Sequence, residues 1–258
     1  MVIRARRQRK TTTTWRNTLE ITAHLHRHVY KKPYVFKCVC DDHEDDIDNG
    51  IAHKVRDKNL FRNAVDLCEQ LQPVAHAIDV CQSDKTSIAD STNAWLQLLL
   101  NPALQCHKKV LTNRMKQATT PEHFAAYKVH PACNGMNLSD EQLNEATEYL
   151  TTDSDTATAS LIALDAKTAL FPPMYFTEQA RSLPPVVWWQ GVKKYVSSDL
   201  ADRAITLLSC PPSSASIERV FSNFGVIHSK MRNRLGNKKA PKLVFCYRML
   251  RGDKEIDE

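Results

Sequence analysis

The apolar positions recur at helical spacing through the middle of the chain. Between residues 58 and 82 they lie three or four positions apart, which predicts one helix with Pro73 as a kink. This stripe consists of Phe61, Ala64, Val65, Cys68, Leu71, Ala75 and Ile78. A second helix is expected to begin with Asp84 as its N-cap, and the spacing over residues 102–118 predicts a third.

Capping residues predict where the next helices begin. Thr120 before Pro121 is typical of an N-cap and a first helical position. Ser139 and Gln142 have the spacing of a capping box, in which each side chain accepts a hydrogen bond from the other residue's backbone N–H. Residues 151–158 are polar and aperiodic, so we expect a linker there.

Two proline pairs introduce the helices of the C-terminal third. Pro185 precedes Trp188 and Trp189, which predicts a buried helix with both indoles packed in the core. After Pro212, a stripe with i, i+3, i+4, i+7 spacing predicts a helix with a buried face. Its members are Ile217, Val220, Phe221 and Phe224, with Ser213 or Ser214 as the N-cap and Gly225 as the C′ residue.

The last helix combines an apolar face with surrounding basic residues. Its apolar members are Ala240, Leu243, Val244, Tyr247 and Leu250. Such a face fits a second copy of the chain or the chain's own helices equally well.

Composition narrows the fold class. Only 6 of the 258 residues are glycine, far below the roughly 7 per cent of an average protein. Folds that depend on tight turns or glycine-rich phosphate loops are therefore disfavoured. No apolar run approaches the roughly 20 residues of a membrane span, so no membrane partner is expected.

The net charge of +6 is unevenly distributed. Five positive charges lie in the first ten residues, whereas residues 41–48 form an acidic run. Residues 219–251 contain nine Lys or Arg and no Asp or Glu. Because a basic tract attracts polyanions, this pattern indicates nucleic acid as a partner class, with a solvated helix face as the alternative.

The eight cysteines do not indicate a secreted disulfide framework, because no signal-peptide apolar region follows the basic N-terminus. Cys38, Cys40 and His43 lie close in sequence, but no second ligand pair of matching spacing follows, and no metal site is expected. The other six cysteines are interpreted mostly as small buried apolar residues in a reducing compartment.

Three consecutive segments carry a resemblance to a known family. Residues 213–222, 225–235 and 242–245 read SSASIERVFS, GVIHSKMRNRL and KLVF. In this order they resemble the C-terminal dimerisation region of the hAT superfamily of transposases. With weaker similarity upstream, the resemblance covers about residues 58–251.

The resemblance implies an RNase H-like catalytic domain, interrupted by a helical insertion, in which three acidic residues hold two metal ions. Glu218 stands at the position of the third acid; taken alone, such a residue is more often a solvated helix residue than a metal ligand. The family's two upstream aspartates, its Cys-x-x-His segment and its zinc finger are not recognisable here. We therefore expect no cofactor, with Mg²⁺ or Mn²⁺ binding only to a complete site, and no small-molecule substrate.

Two groups of site residues follow from the motif and the resemblance. Dimerisation is expected to use Val220, Phe221, Phe224, Leu235, Leu243, Val244 and Tyr247. Contact with nucleic acid is expected from Trp15, Arg219, Lys230, Arg232 and Arg234. Trp15 is included because residues 13–17 resemble the family's Thr-Arg-Trp-Asn segment, whose tryptophan stacks on a displaced base.

We predict a mainly α protein, a helical bundle that corresponds to the insertion and the C-terminal helices of an RNase H-like domain, with little or no sheet. The expected organisation is a basic tail with an irregular acidic segment over 1–57, an insertion-like helical region over 58–150, a linker over 151–182, the dimerisation region over 183–252 and an acidic tail over 253–258.

The leading functional hypothesis is a truncated, nuclear, transposase-derived protein that dimerises with itself or with related proteins, has DNA as a candidate partner and lacks a complete catalytic site. One alternative is an active DDE-type transposase fragment completed by upstream sequence. The other is a sequence-neutral DNA-binding module.

Overall fold

The computed structural model describes residues 33–43, 47–168, 170–227 and 239–252. Within these ranges the chain forms α-helices, loops and short 3-10 turns, without any strand. The mainly α fold predicted from the helical periods is confirmed. No helix in these ranges is long and apolar enough to cross a bilayer.

The helices are α1 (Pro33–Asp42), α2 (Asn49–Arg56), α3 (Lys58–Gln82), α4 (Ile88–Leu100), α5 (Lys108–Ala118), α6 (Pro121–Val129), α7 (Asp140–Thr151), α8 (Asp155–Asp165), α9 (Glu178–Arg181), α10 (Pro185–Val192), α11 (Ser198–Ser209), α12 (Ala215–Ile227) and α13 (Ala240–Gly252). They belong to two compact units. The first includes residues up to 78 and 95–118, and the second includes residues 79–94 and those from 119 onward.

In the first unit, α1 and α2 pack against each other. Asp48 caps α2, because its carboxylate accepts hydrogen bonds from two backbone N–H groups at 2.8 and 3.3 Å. Asp41 at the end of α1 forms an ion pair with Arg56 at 2.8 Å. The prediction of an irregular segment over 1–57 is therefore wrong for the described part. Two aspartates of the acidic run cap α2 and pair with Arg56, and the run does not prevent helix formation.

The second unit is organised around α11. This helix packs against α6, α7, α8 and α10. Its buried face is Leu200, Ala201, Ala204, Leu207 and Leu208. Two of these residues are alanines, whose small side chains let neighbouring helices approach closely.

Polar side chains fix helix ends within this unit. The fully buried Trp189 donates its indole N–H to the carbonyl of Val129 at 2.8 Å and so links α10 to α6. Arg203 of α11 donates to the carbonyls of Tyr149 and Thr152 at 3.0 and 2.6 Å. The last carbonyls of a helix have no intrahelical donor, so Arg203 satisfies the C-terminal end of α7.

The capping signals predicted for α6 and α7 are confirmed. Thr120 is the N-cap of α6 with Pro121 at its first position. Ser139 and Gln142 form a complete capping box on α7, with bonds of 3.0 and 3.3 Å. Both tryptophans of α10 are buried, as core packing requires.

The segment predicted as a linker over 151–182 differs from the structure. It contains α8, whose N-cap Ser154 accepts from the backbone N–H of Ala157 at 3.2 Å. Ala157 and Leu161, four residues apart, are buried. The polar threonines and aspartates around them hide this narrow apolar row in the sequence.

Three further boundaries are corrected. Helix α4 begins at Ile88, where Asp90 accepts from the backbone N–H of Ser87 at 2.7 Å, so the helix starts four residues after Asp84. The predicted helix over 102–118 is a 3-10 turn followed by α5. Gly225 lies inside α12, which continues to Ile227, and so does not end the helix.

The cysteines are all free thiols with mixed exposure. Cys68 is buried, as predicted, and Cys81 and Cys133 are half-buried. Burial raises the pKa of Cys133 to about 11, which keeps this thiol protonated and unreactive at neutral pH. The prediction of burial is wrong for three residues that are exposed, namely Cys106, Cys210 and Cys246.

Replacing Leu200 by Ala is expected to lower the free energy of unfolding by about 2–5 kcal/mol, because truncating a fully buried leucine leaves a cavity. Leu200 is 0% exposed, whereas Ile162 on α8 is 64% exposed, which makes Ile162→Ala a matched control with little effect. Urea unfolding followed by circular dichroism measures both. Equal unfolding midpoints for the two variants would contradict the central position of α11.

Candidate dimerisation surface

Helices α12 and α13 pack against each other. Helix α12 contains most of the serine-rich motif, and α13 is the last helix that the sequence predicts. Helix α12 follows Ser213 and Ser214, which lie where the sequence predicts its N-cap. The hydroxyl of Ser213 accepts from the backbone N–H of Ala215 at 3.4 Å. On α13, Val244 is buried with 5% of its surface exposed.

Large apolar side chains on these two helices are exposed. The exposed fractions are 56% for Ile217, 70% for Phe221, 43% for Leu243, 65% for Phe245 and 57% for Met249. We call these five residues the α12–α13 apolar surface. Two i, i+4 pairs lie within it, one on each helix, and residues at that spacing share a helix face.

The prediction of a buried stripe on α12 is wrong within one chain, because Ile217 and Phe221 are exposed and Val220 is only half-buried. Tyr247 on α13 is half-buried. The side chain of Phe224 and all of Leu235 lie outside the described residues. Helical periodicity identifies such a face but does not say whether the same chain covers it.

Phe245 and Met249 do not belong to the face that the sequence predicts for α13. They form a second row on that helix, four residues apart, and both are exposed. The signal that would have found them is this i, i+4 pair of large apolar residues beside the predicted face.

Hydrogen bonds fix the start of α12 to the segment 79–94 within the same unit. Ser213 donates its hydroxyl to the carbonyl of Cys81 at 2.7 Å. Arg219 donates to the carbonyl of Gln82 at 2.6 Å and to the Asp84 carboxylate at 2.5 Å. These bonds hold the exposed row of α12 in a defined position.

Arg219 was predicted from the motif to contact nucleic acid. In the structure its guanidinium forms an ion pair with Asp84 and also bonds a backbone carbonyl at the end of α3. Its contact with nucleic acid stays a prediction. Trp15, Lys230, Arg232 and Arg234 lie outside the described residues.

Glu218 is exposed and accepts a hydrogen bond from the hydroxyl of Ser214 at 3.0 Å, one turn earlier. Among the residues that the structure describes, no three His, Cys, Asp or Glu side chains lie close enough together to hold a metal ion. The described part of the chain therefore gives Glu218 no partners for metal-assisted chemistry.

Residues 170–250 match the profile of the hAT family C-terminal dimerisation region. This segment is thus similar to hAT dimerisation regions, and we call residues 170–250 the hAT region. The resemblance predicted from the serine-rich motif is confirmed for this segment. No curated protein shows significant similarity to the chain.

The hAT region begins 13 residues before the boundary predicted at 183, since the match starts at residue 170. It therefore includes the 3-10 turn Pro173–Phe176 and the short helix α9, as well as α10 to α13. The buried tryptophans and the exposed α12–α13 apolar surface belong to the same hAT region.

Replacing Arg219 by Ala is expected to speed amide hydrogen exchange in the first two turns of α12 by about five- to tenfold. This corresponds to about 1 kcal/mol for charge-assisted bonds that are partly open to solvent. Asp84→Ala should have a smaller effect, because the bond to the carbonyl of Gln82 remains. Unchanged exchange in Arg219→Ala would show that these bonds do not hold the helix.

Proposed function

We propose that the chain is a transposase-derived interaction protein that forms a homodimer through the α12–α13 apolar surface. The observation that carries this proposal is the exposure of Ile217, Phe221, Leu243, Phe245 and Met249 within a hAT dimerisation region. Single exposed apolar residues are common on surfaces, but two packed helices that each expose an i, i+4 apolar pair offer a larger patch of the kind that marks a protein contact.

The energy available from this surface is sufficient for a dimer. Covering a Leu, Ile, Phe or Met side chain completely contributes about 1.5–3 kcal/mol. In a twofold dimer each side chain is buried twice, once in each copy. Because these side chains are already 30–57% covered, burying what remains in both copies contributes about 9–17 kcal/mol. This is comparable to the association cost of about 4–15 kcal/mol in lost translational and rotational freedom.

A second copy of the chain is the favoured partner because a twofold contact uses the same patch on both subunits. Related hAT regions with a similar patch are the next partner class. The described part of α12 and α13 contains no acidic residue besides Glu218, so association places few carboxylates against each other.

The proposed role needs no catalysis by this chain. Glu218 accepts a hydrogen bond from Ser214 and stands outside any metal-binding group in the described residues. The alternative of a DDE-type transposase fragment would require two further acids beside Glu218. We therefore propose that strand cleavage is not an activity of the chain. Nuclear location and DNA contact remain predictions.

Phe221→Asp and Leu243→Asp are each expected to raise the dimer dissociation constant at least tenfold. A buried charge replaces an apolar contact in both copies, and 1.4 kcal/mol corresponds to about a factor of ten. Ile162→Asp is the matched control, because Ile162 is as exposed as Phe221 but lies outside the hAT region. Light scattering after size exclusion, over a range of protein concentrations, measures the three variants.

The dimer proposal predicts that the control variant keeps the affinity of the original chain. It is wrong if Phe221→Asp and Leu243→Asp dimerise as tightly as Ile162→Asp. Circular dichroism distinguishes a lost interface from a lost fold, since both target positions are on the surface and the helical signal should persist.

Incubation of the full chain with hairpin or terminal-repeat DNA and Mg²⁺ or Mn²⁺ is expected to produce no strand nicking. The reason is that a single carboxylate cannot hold two metal ions about 4 Å apart. Glu218→Gln provides the matched background. Metal-dependent nicking that disappears in Glu218→Gln would support the transposase alternative instead.

A further inference from the structure

A histidine ring accepts a backbone hydrogen bond at each end of α6. At the start, the N–H of Thr120 donates to Nδ1 of His123 at 3.2 Å. At the end, the N–H of Ala132 donates to Nδ1 of His130, also at 3.2 Å. A backbone N–H is a donor only, so the ring nitrogen must be the acceptor in both bonds. Both rings are therefore neutral in this fold, with their proton on Nε2.

The start of α6 is a capping box with His123 at its third helical position. Glu or Gln usually stands there, because a carboxylate or amide oxygen accepts the N–H of the N-cap throughout the neutral range. Helix α7 has that usual form, since Gln142 accepts from the N–H of Ser139 at 3.0 Å. The second unit thus contains the same local bond twice, once with an acceptor that titrates near neutral pH and once with one that does not.

The turn that follows α6 is held by His130, its C-cap residue. The carbonyl of His130 accepts from the N–H groups of Cys133 and Asn134 at 3.1 and 2.8 Å, while its ring accepts from Ala132. One residue therefore satisfies three consecutive backbone donors. The bond to the ring is the one of the three that a proton on Nδ1 removes.

Burial lowers the pKa of both His123 and His130 below the usual value of 6.5. Glu122 beside His123 and Asp90 of α4 near His130 oppose this change, because a carboxylate favours the charged ring. A bond from the Thr120 hydroxyl lowers the pKa of Glu122, so this carboxylate stays ionised while the rings titrate. Among the described residues, no charged group of α7 or α11, which pack on α6, acts on either ring.

Helix α6 supports two helices of the hAT region. It packs against α11, and the carbonyl of Val129, its last residue, accepts the indole N–H of Trp189 on α10. That carbonyl lies one residue before His130, at the end of α6 that the ring closes. The hydroxyl of the buried Thr92 donates to the carbonyl of His123 at 3.2 Å, within the same unit. Fraying of either end of α6 therefore reaches a contact with another helix.

We propose that α6 is an acid-sensitive switch, in which protonation of His123 and His130 removes the acceptors at both of its ends and loosens its hold on α10 and α11. The protonated ring of His123 can still donate to the hydroxyl oxygen of Thr120, 3.1 Å away, but the N–H of Thr120 loses its acceptor. Histidines of the unfolded chain take up protons from about pH 6.5 downward, whereas the folded rings take them up at lower pH. The contribution of the two rings to stability is therefore complete above about pH 6.5 and falls as the pH drops toward their folded pKa.

Urea unfolding of the full chain between about pH 7.5 and pH 5, followed by circular dichroism, tests the proposal. The midpoint is expected to fall with pH, and each unit by which one histidine pKa is lowered raises the unfolding equilibrium constant about tenfold at the acid end. His123→Gln and His130→Asn together should flatten this pH dependence, because each keeps an oxygen acceptor that does not titrate. His76→Gln is the matched control, because His76 is exposed and lies in the first unit, and it should keep the original pH dependence.

NMR of the histidine rings and backbone amides provides a readout that does not depend on unfolding. The ring signals of His123 and His130 should titrate at lower pH than that of His76. The amide signals of Thr120 and Ala132 should shift at the same pH as the two rings, whereas the amide of Ser139 in the α7 capping box should not.

Two results would overturn the proposal. One is an equal pH dependence of the unfolding midpoint in the original chain and in the double variant. The other is titration of the His123 and His130 rings at or above the pH at which His76 titrates. If the double variant does not fold at neutral pH, the ring and amide titrations of the original chain decide the question.

Discussion

The central physical feature of this protein is the apolar surface that α12 and α13 leave uncovered. Within the described residues of the two helices, Val244 is the one apolar side chain that is buried. Exposing the five residues of the α12–α13 apolar surface to water is costly, and the proposed contact with a second copy would remove that cost for both partners. Self-association is thus our proposed explanation for the exposed apolar side chains of these two helices.

The rest of the second unit gives this surface a rigid support. Helix α11 buries an apolar face against four other helices, and Arg203 fixes the end of α7 beside it. Hydrogen bonds from Ser213 and Arg219 then connect the start of α12 to residues 79–94. A defined position of α12 lowers the entropy that dimerisation must offset, because fewer conformations are lost on binding.

Local signals in the sequence were sufficient for part of this structure. The capping box of Ser139 and the Thr120 N-cap predict helix starts correctly, because capping depends on residues within one turn. Helix α8 is not evident from the sequence, because only Ala157 and Leu161 are buried among polar residues. Their burial depends partly on α11, which is distant in sequence. The role of Asp84 likewise depends on Arg219, which lies far along the chain.

In the candidate site too, some features follow from local sequence and others depend on the tertiary structure. The motif at residues 213–222 identifies the hAT region, and periodicity finds the row containing Ile217 and Phe221. Whether that row is buried or exposed in one chain depends on the tertiary structure, and so does the second row on α13.

Sedimentation equilibrium of the full, unmodified chain over a wide range of concentrations measures its self-association directly. A dimer requires a mass that rises with concentration to twice the 29.3 kDa of one chain. A mass that stays at that of a single chain up to the highest micromolar concentrations would contradict the dimer proposal.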